Sequence, residues 1–88
     1  MGGVTVTYRN VSILDRVVGD HGRLVREGRK PNSLFLSSRS RAALAQQATD
    51  AYGITYEYAY NGLLGMKIYT SEEYLGDRFR IYCEPQGA

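Results

Sequence analysis

Few side chains in this sequence have the types and spacing that catalysis requires. A nucleophile works only with a base in hydrogen-bond reach, and the single histidine, His21, has no identifiable acid to orient it. Cys83 is the one cysteine, so an internal disulfide is excluded, and together with one histidine it leaves too few soft ligands for a zinc site. Glu72, Glu73 and Asp77 could supply paired carboxylates, but they lie beside Gly76 in a stretch with the composition of a turn, where acidic residues serve the loop and solubility. These residues point to a protein that is not an enzyme and uses no metal and no cofactor.

Binding chemistry is better represented. Ser37-Ser38-Arg39-Ser40-Arg41 joins a short apolar run to a helix start, where free backbone N–H groups and two guanidiniums could hold a phosphate or carboxylate. The plainer alternative is a serine cap with two solvated arginines. A glycine-rich approach and a Lys-Ser/Thr pair are lacking, so the segment is not a nucleotide-binding P-loop. The net charge of +2 is too small to identify a nucleic-acid binder, yet it is unevenly spread. Residues 1–41 carry eight basic and three acidic side chains, a balance of +5, and the remainder carries three and six, a balance of −3. Such a chain suits head-to-tail association, or the presentation of a basic face through Arg23, Arg26, Arg29, Lys30, Ser38, Arg39 and Arg41 to an anion or nucleic acid.

Tyrosine is also concentrated, with seven of the eight at Tyr52 or later. Its ring is apolar and its hydroxyl polar, which suits half-buried strands and protein interfaces alike. Tyr56, Tyr58, Tyr60 and Tyr69, with Leu63 and Leu64, form the candidate protein-binding surface.

The elements that must position these groups follow from periodicity. Val4 to Tyr8 alternates as a short strand. Asn10 or Ser12 can cap a helix in which Leu14, Val17, Val18, His21, Leu24 and Val25 recur at helical spacing and which Gly28 ends; Gly19 and Gly22 could kink or break it. Leu34-Phe35-Leu36 reads as a central strand buried on both faces, and Ser37 or Ser38 then caps a second helix that Gly53 stops. Leu44, Ala48, Ala51 and Tyr52 make its apolar stripe. From Ile54 to Tyr60 the residues alternate as a strand, Asn61-Gly62 is the hairpin turn, and Leu63 to Tyr69 returns. A loop leads to a last strand, Arg78 to Glu84, with Phe79, Ile81 and Cys83 inward. The expected architecture is α+β, in the order β-α-β-α-β-β-β, with two helices on one face of a mixed or antiparallel sheet. All 88 residues form one domain, with 1–3 and 85–88 as tails.

Two stretches resemble known families. Val17-Val18-Gly19-Asp20-His21-Gly22-Arg23-Leu24-Val25 resembles the helix-GxxG-helix element of the KH family, which implies a loop clamping the backbone of single-stranded nucleic acid, although Asp20 inside it would oppose phosphate. Pro31 to Ser37, the following helix with Leu44, and Tyr60-Asn61-Gly62-Leu63-Leu64-Gly65-Met66-Lys67-Ile68-Tyr69-Thr70-Ser71-Glu72 resemble a stretch of tailed-bacteriophage coat and head proteins. That likeness, which spans Pro31 to Tyr82, implies a small virion or assembly protein carrying part of such a fold, or a phage protein with another target.

Three functions follow as expectations. The first is a phage-encoded virion or assembly component that binds protein or itself through the tyrosine-rich surface. The second is a phage inhibitor of a host defence system that binds a protein or an anionic signal, and the third is a nucleic-acid-binding module using the basic half. No apolar run approaches the roughly 18 residues that span a bilayer, so no membrane partner is expected. The expected location is the host cytoplasm or the virion.

Overall fold

The structure, a computed structural model, describes residues 12–85. The proposed strand at Val4 to Tyr8 lies outside them. Helix α1 spans Ile13–Arg26 and begins where Ser12 Oγ accepts the Asp15 N–H at 3.1 Å. It buries Ile13, Leu14, Val17 and Leu24, while Val25 is exposed and His21 half-buried. The helix passes through Gly19 and Gly22 without a break, so the KH-like GxxG loop is absent and those residues are helical. Packing of the apolar face outweighs the two glycines, each worth about 1 kcal/mol against alanine. A methyl group added at Gly19 would meet nothing within 4 Å. Gly19→Ala is therefore expected to raise stability by about 1 kcal/mol, read as a higher denaturation midpoint with unchanged slope.

Strand β1 (Pro31–Leu36) runs through the centre of a four-stranded sheet of order β2-β3-β1-β4, with β2 at Gly62–Leu63, β3 at Met66–Thr70 and β4 at Phe79–Cys83. It pairs parallel with β3, Leu34 opposite Ile68, and antiparallel with β4, Leu34 opposite Ile81, so the sheet is mixed. Leu34 and Leu36 are fully buried, but Phe35 between them is only half-buried, because all the helices lie on one face. The expectation of burial on both faces is thus corrected. Phe79 and Ile81 pack inward against the core, and Cys83 is half-buried.

Helix α2 (Ser38–Tyr52) is capped by Ser37 and ends at Gly53, whose φ of 73° only glycine adopts without strain. Ser40, Leu44, Ala45 and Ala48 are its buried residues; Leu44 and Ala48 belong to the expected apolar stripe, but Ala51 and Tyr52 are exposed, so the stripe ends one turn earlier than the spacing suggested. Gln47 Oε1 accepts the Leu14 N–H at 2.9 Å and ties α1 to α2.

The segment from Ile54 is the main departure. Tyr56–Asn61 is a six-residue helix, α3, rather than a strand, which makes three helices among the described residues. Asn61-Gly62 is not the hairpin turn, since Asn61 ends α3 with its Nδ2 donating to the Glu57 carbonyl at 2.8 Å. The turn falls at Leu64-Gly65, inside the expected return strand, with φ of 54° and 79° at the two positions that a type I′ turn holds positive. The described order is α-β-α-α-β-β-β.

Candidate functional site

The chain leaves α2 through Gly53, packs Ile54 against the core and starts α3 where Thr55 Oγ1 accepts the Tyr58 N–H at 3.3 Å. Ala59 is the one buried residue of this helix. Tyr56 and Tyr60, one turn apart, stack at 5.8 Å, while Tyr58 projects away and is 71% exposed. Arg41 fixes Tyr60 from below, with its guanidinium 4.1 Å from the ring centroid and its Nε donating to the Tyr60 carbonyl at 2.8 Å. Its other nitrogens donate to Thr70 Oγ1 at 2.9 Å and Asn61 Oδ1 at 3.4 Å.

Beside α3 the β2–β3 turn holds Leu64 out at 40% exposure. Between helix and turn lies an open groove of about 340 Å³, lined chiefly by Ile54, Tyr58, Leu63, Leu64 and Met66, with Asn61 and Lys67 at its polar rim. Of the six residues marked as protein-binding in the sequence, Tyr58, Leu63 and Leu64 meet here. Tyr60 is held in the fold and Tyr56 lies against it, whereas Tyr69 stands on the opposite, solvent-facing side of the sheet.

The basic residues do not converge. Arg23, Arg26, Arg29 and Lys30 sit before β1 and Ser38, Arg39 and Arg41 after it, at opposite ends of the central strand. Arg23 lies 3.8 Å from Asp20 and 3.3 Å from Glu27, and Arg41 is turned into the fold. The start of α2, the expected anion contact, meets an internal carboxylate, since Glu72 accepts the Ser38 N–H at 3.1 Å. Ser37 Oγ accepts the Ser40 N–H, and Ser40 Oγ donates to the Gly76 carbonyl at 2.8 Å. Among the described residues no group of three or more His, Cys, Asp or Glu is gathered, and no helix is long and apolar enough to cross a membrane.

The sequence reading missed Phe35 and Tyr82. Both stand on the solvent-facing side of the sheet with Tyr69, and the alternation Leu34-Phe35-Leu36 and Ile81-Tyr82-Cys83 was the available signal. Phe35 stacks on Tyr69 at 5.0 Å and meets Tyr82 edge-on at 5.1 Å. A side-chain hydrogen bond with Tyr82, then desolvation, then the negative charges of Tyr82 and Glu73, hold the Tyr74 phenol above its ordinary pKa. Compared with family models, with curated proteins and with solved structures, the chain gives no match to any.

Proposed function

We propose that this is a non-catalytic protein-binding protein, a small bacteriophage virion or assembly component, and that the groove between α3 and the β2–β3 turn is its contact surface. The observation that carries this reading is Leu64. A leucine at φ 54° is strained by about 1–2 kcal/mol, at a position where asparagine or glycine is at ease, and its side chain is spread into water. Strain and exposed apolar area at one residue are what a contact surface retains. The viral part of the reading rests on the resemblance of residues 31–82 to phage head proteins.

A second copy supplies a matching knob. Leu75 is 66% exposed on the loop after β3, at the far end of that strand from the Leu64-Gly65 turn. Groove and knob at opposite ends of one strand make a heterologous contact, which repeats head to tail as assembly requires. Light scattering at rising concentration tests this. The unaltered protein is expected to grow in mass, and Leu64→Ser and Leu75→Ser to remain monomeric. Mixed together, the two variants should form a dimer and nothing larger, because one keeps a groove and the other a knob. Self-association unchanged by either substitution, or a mixture that stays monomeric, would overturn the assignment of the contact.

A further inference from the structure

We propose that the solvent-facing side of the sheet binds single-stranded nucleic acid, with bases stacking on Tyr69 and Tyr82 and the backbone held by Lys67 and Arg80. In a strand, successive side chains point to opposite faces. Met66 and Ile68 on β3 and Phe79 and Ile81 on β4 turn to the helices, so Lys67, Tyr69, Arg80 and Tyr82 turn outward. Each strand therefore presents a cation and an aromatic ring two residues apart, about 7 Å along the chain.

The register joins the two pairs. Phe35 on the central strand lies opposite Tyr69 on one side and Arg80 on the other, and its ring contacts both tyrosines. Tyr69 and Tyr82 keep 41% and 44% of their surface in water. Strand β2 pairs only with Met66 and Lys67, so it ends as a strand before it reaches Tyr69. Arg80 lies 5.4 Å from the Tyr82 ring centroid, and neither it nor Lys67 forms an ion pair among the described residues. Glu84, two residues beyond Tyr82, and Glu73, near Tyr74, are the acidic groups that border the face.

Exposed rings interleaved with cations that form no ion pair among the described residues match a ligand that is itself alternately aromatic and anionic. A duplex fits less well, because its bases are stacked on one another and a sheet face has no projecting element to enter a groove. A protein partner would leave both cations to be matched by carboxylates.

The test is fluorescence anisotropy of the full chain with labelled oligo(dT) and oligo(rU) of about twelve nucleotides, and with a duplex of equal length. Binding of the single strands, weaker binding of the duplex, and a slope of log K against log salt near −1.4, about −0.7 for each of two phosphates neutralised, are expected. Tyr69→Ala and Tyr82→Ala should each weaken binding about 5- to 150-fold, whereas Tyr69→Phe, which keeps the stacking ring, should bind as the unaltered protein does. Lys67→Ala should flatten the salt slope by about 0.7. Leu64→Ser should bind normally, which separates this site from the groove. Absence of binding at low salt, a preference for the duplex, or tyrosine variants that change the mass of the protein and not its oligonucleotide affinity would overturn the proposal.

Discussion

Leu34→Ala is expected to destabilise the fold by about 2–5 kcal/mol. Leu34 is fully buried at the middle of the central strand, opposite Ile68 and Ile81 and beneath the helices. Truncation removes apolar area from the core and leaves a cavity that strands on both flanks prevent from closing. Domains of this size have total stabilities of about 5–15 kcal/mol, so much of the margin goes. A urea titration should show a lower midpoint at unchanged slope, or a chain unfolded in water. Phe35→Ala, one residue away on the solvent face, is the control. Its ring is half exposed and its loss opens no internal cavity, so the effect should be distinctly smaller. Equal losses at the two positions would mean that the outer face is covered.

Arg41→Ala is the second large effect, expected at about 2–3 kcal/mol. The guanidinium bonds a carbonyl of α3, the side chain of Asn61 and a hydroxyl of β3, and lies over the Tyr60 ring. Its removal leaves the part-buried Tyr60 carbonyl without its donor and separates α3 from the sheet. A six-residue helix has no stability of its own, so it should open locally before the rest unfolds. Amide exchange should therefore quicken across Tyr56–Asn61 more than across β1. Arg41→Lys should restore only part of the protection, because an ammonium cannot form the planar fork. Uniform loss of protection would place Arg41 in the global core instead of at a local clasp.

The legible elements are those in which periodicity and caps agree. Ser12 and Ser37 begin helices and Gly53 ends one as their types foretell, and β1 and β4 contain the apolar runs assigned to them, whereas β3 holds only Met66 to Tyr69 of the run expected from Leu63. The Ile54–Tyr60 segment misleads for a definite reason. Tyrosines at every second position include a pair at i and i+4, and that pair serves a helix as well as alternation serves a strand. What decides is not local. Thr55 caps the turn, Ala59 is small enough to be buried, and Arg41, remote in sequence, holds the helix in place. Once Asn61 closes that helix, the turn moves to Leu64-Gly65. The groove depended on this shift and could not be read beforehand. Glu72 at the start of α2 was equally illegible, because only the fold brings it there.

The position of β1 has a consequence for synthesis. Both strands that flank it come from the second half of the chain, and the Ser71 N–H closes on the Leu36 carbonyl only after β3 is complete. As the chain leaves the ribosome, Leu34 and Leu36 emerge long before Ile68 and Ile81 exist to pair with them. The sheet therefore cannot assemble progressively from its first strand. It must close late and almost at once, and until then its two most buried leucines are open to a chaperone or to a neighbouring nascent chain.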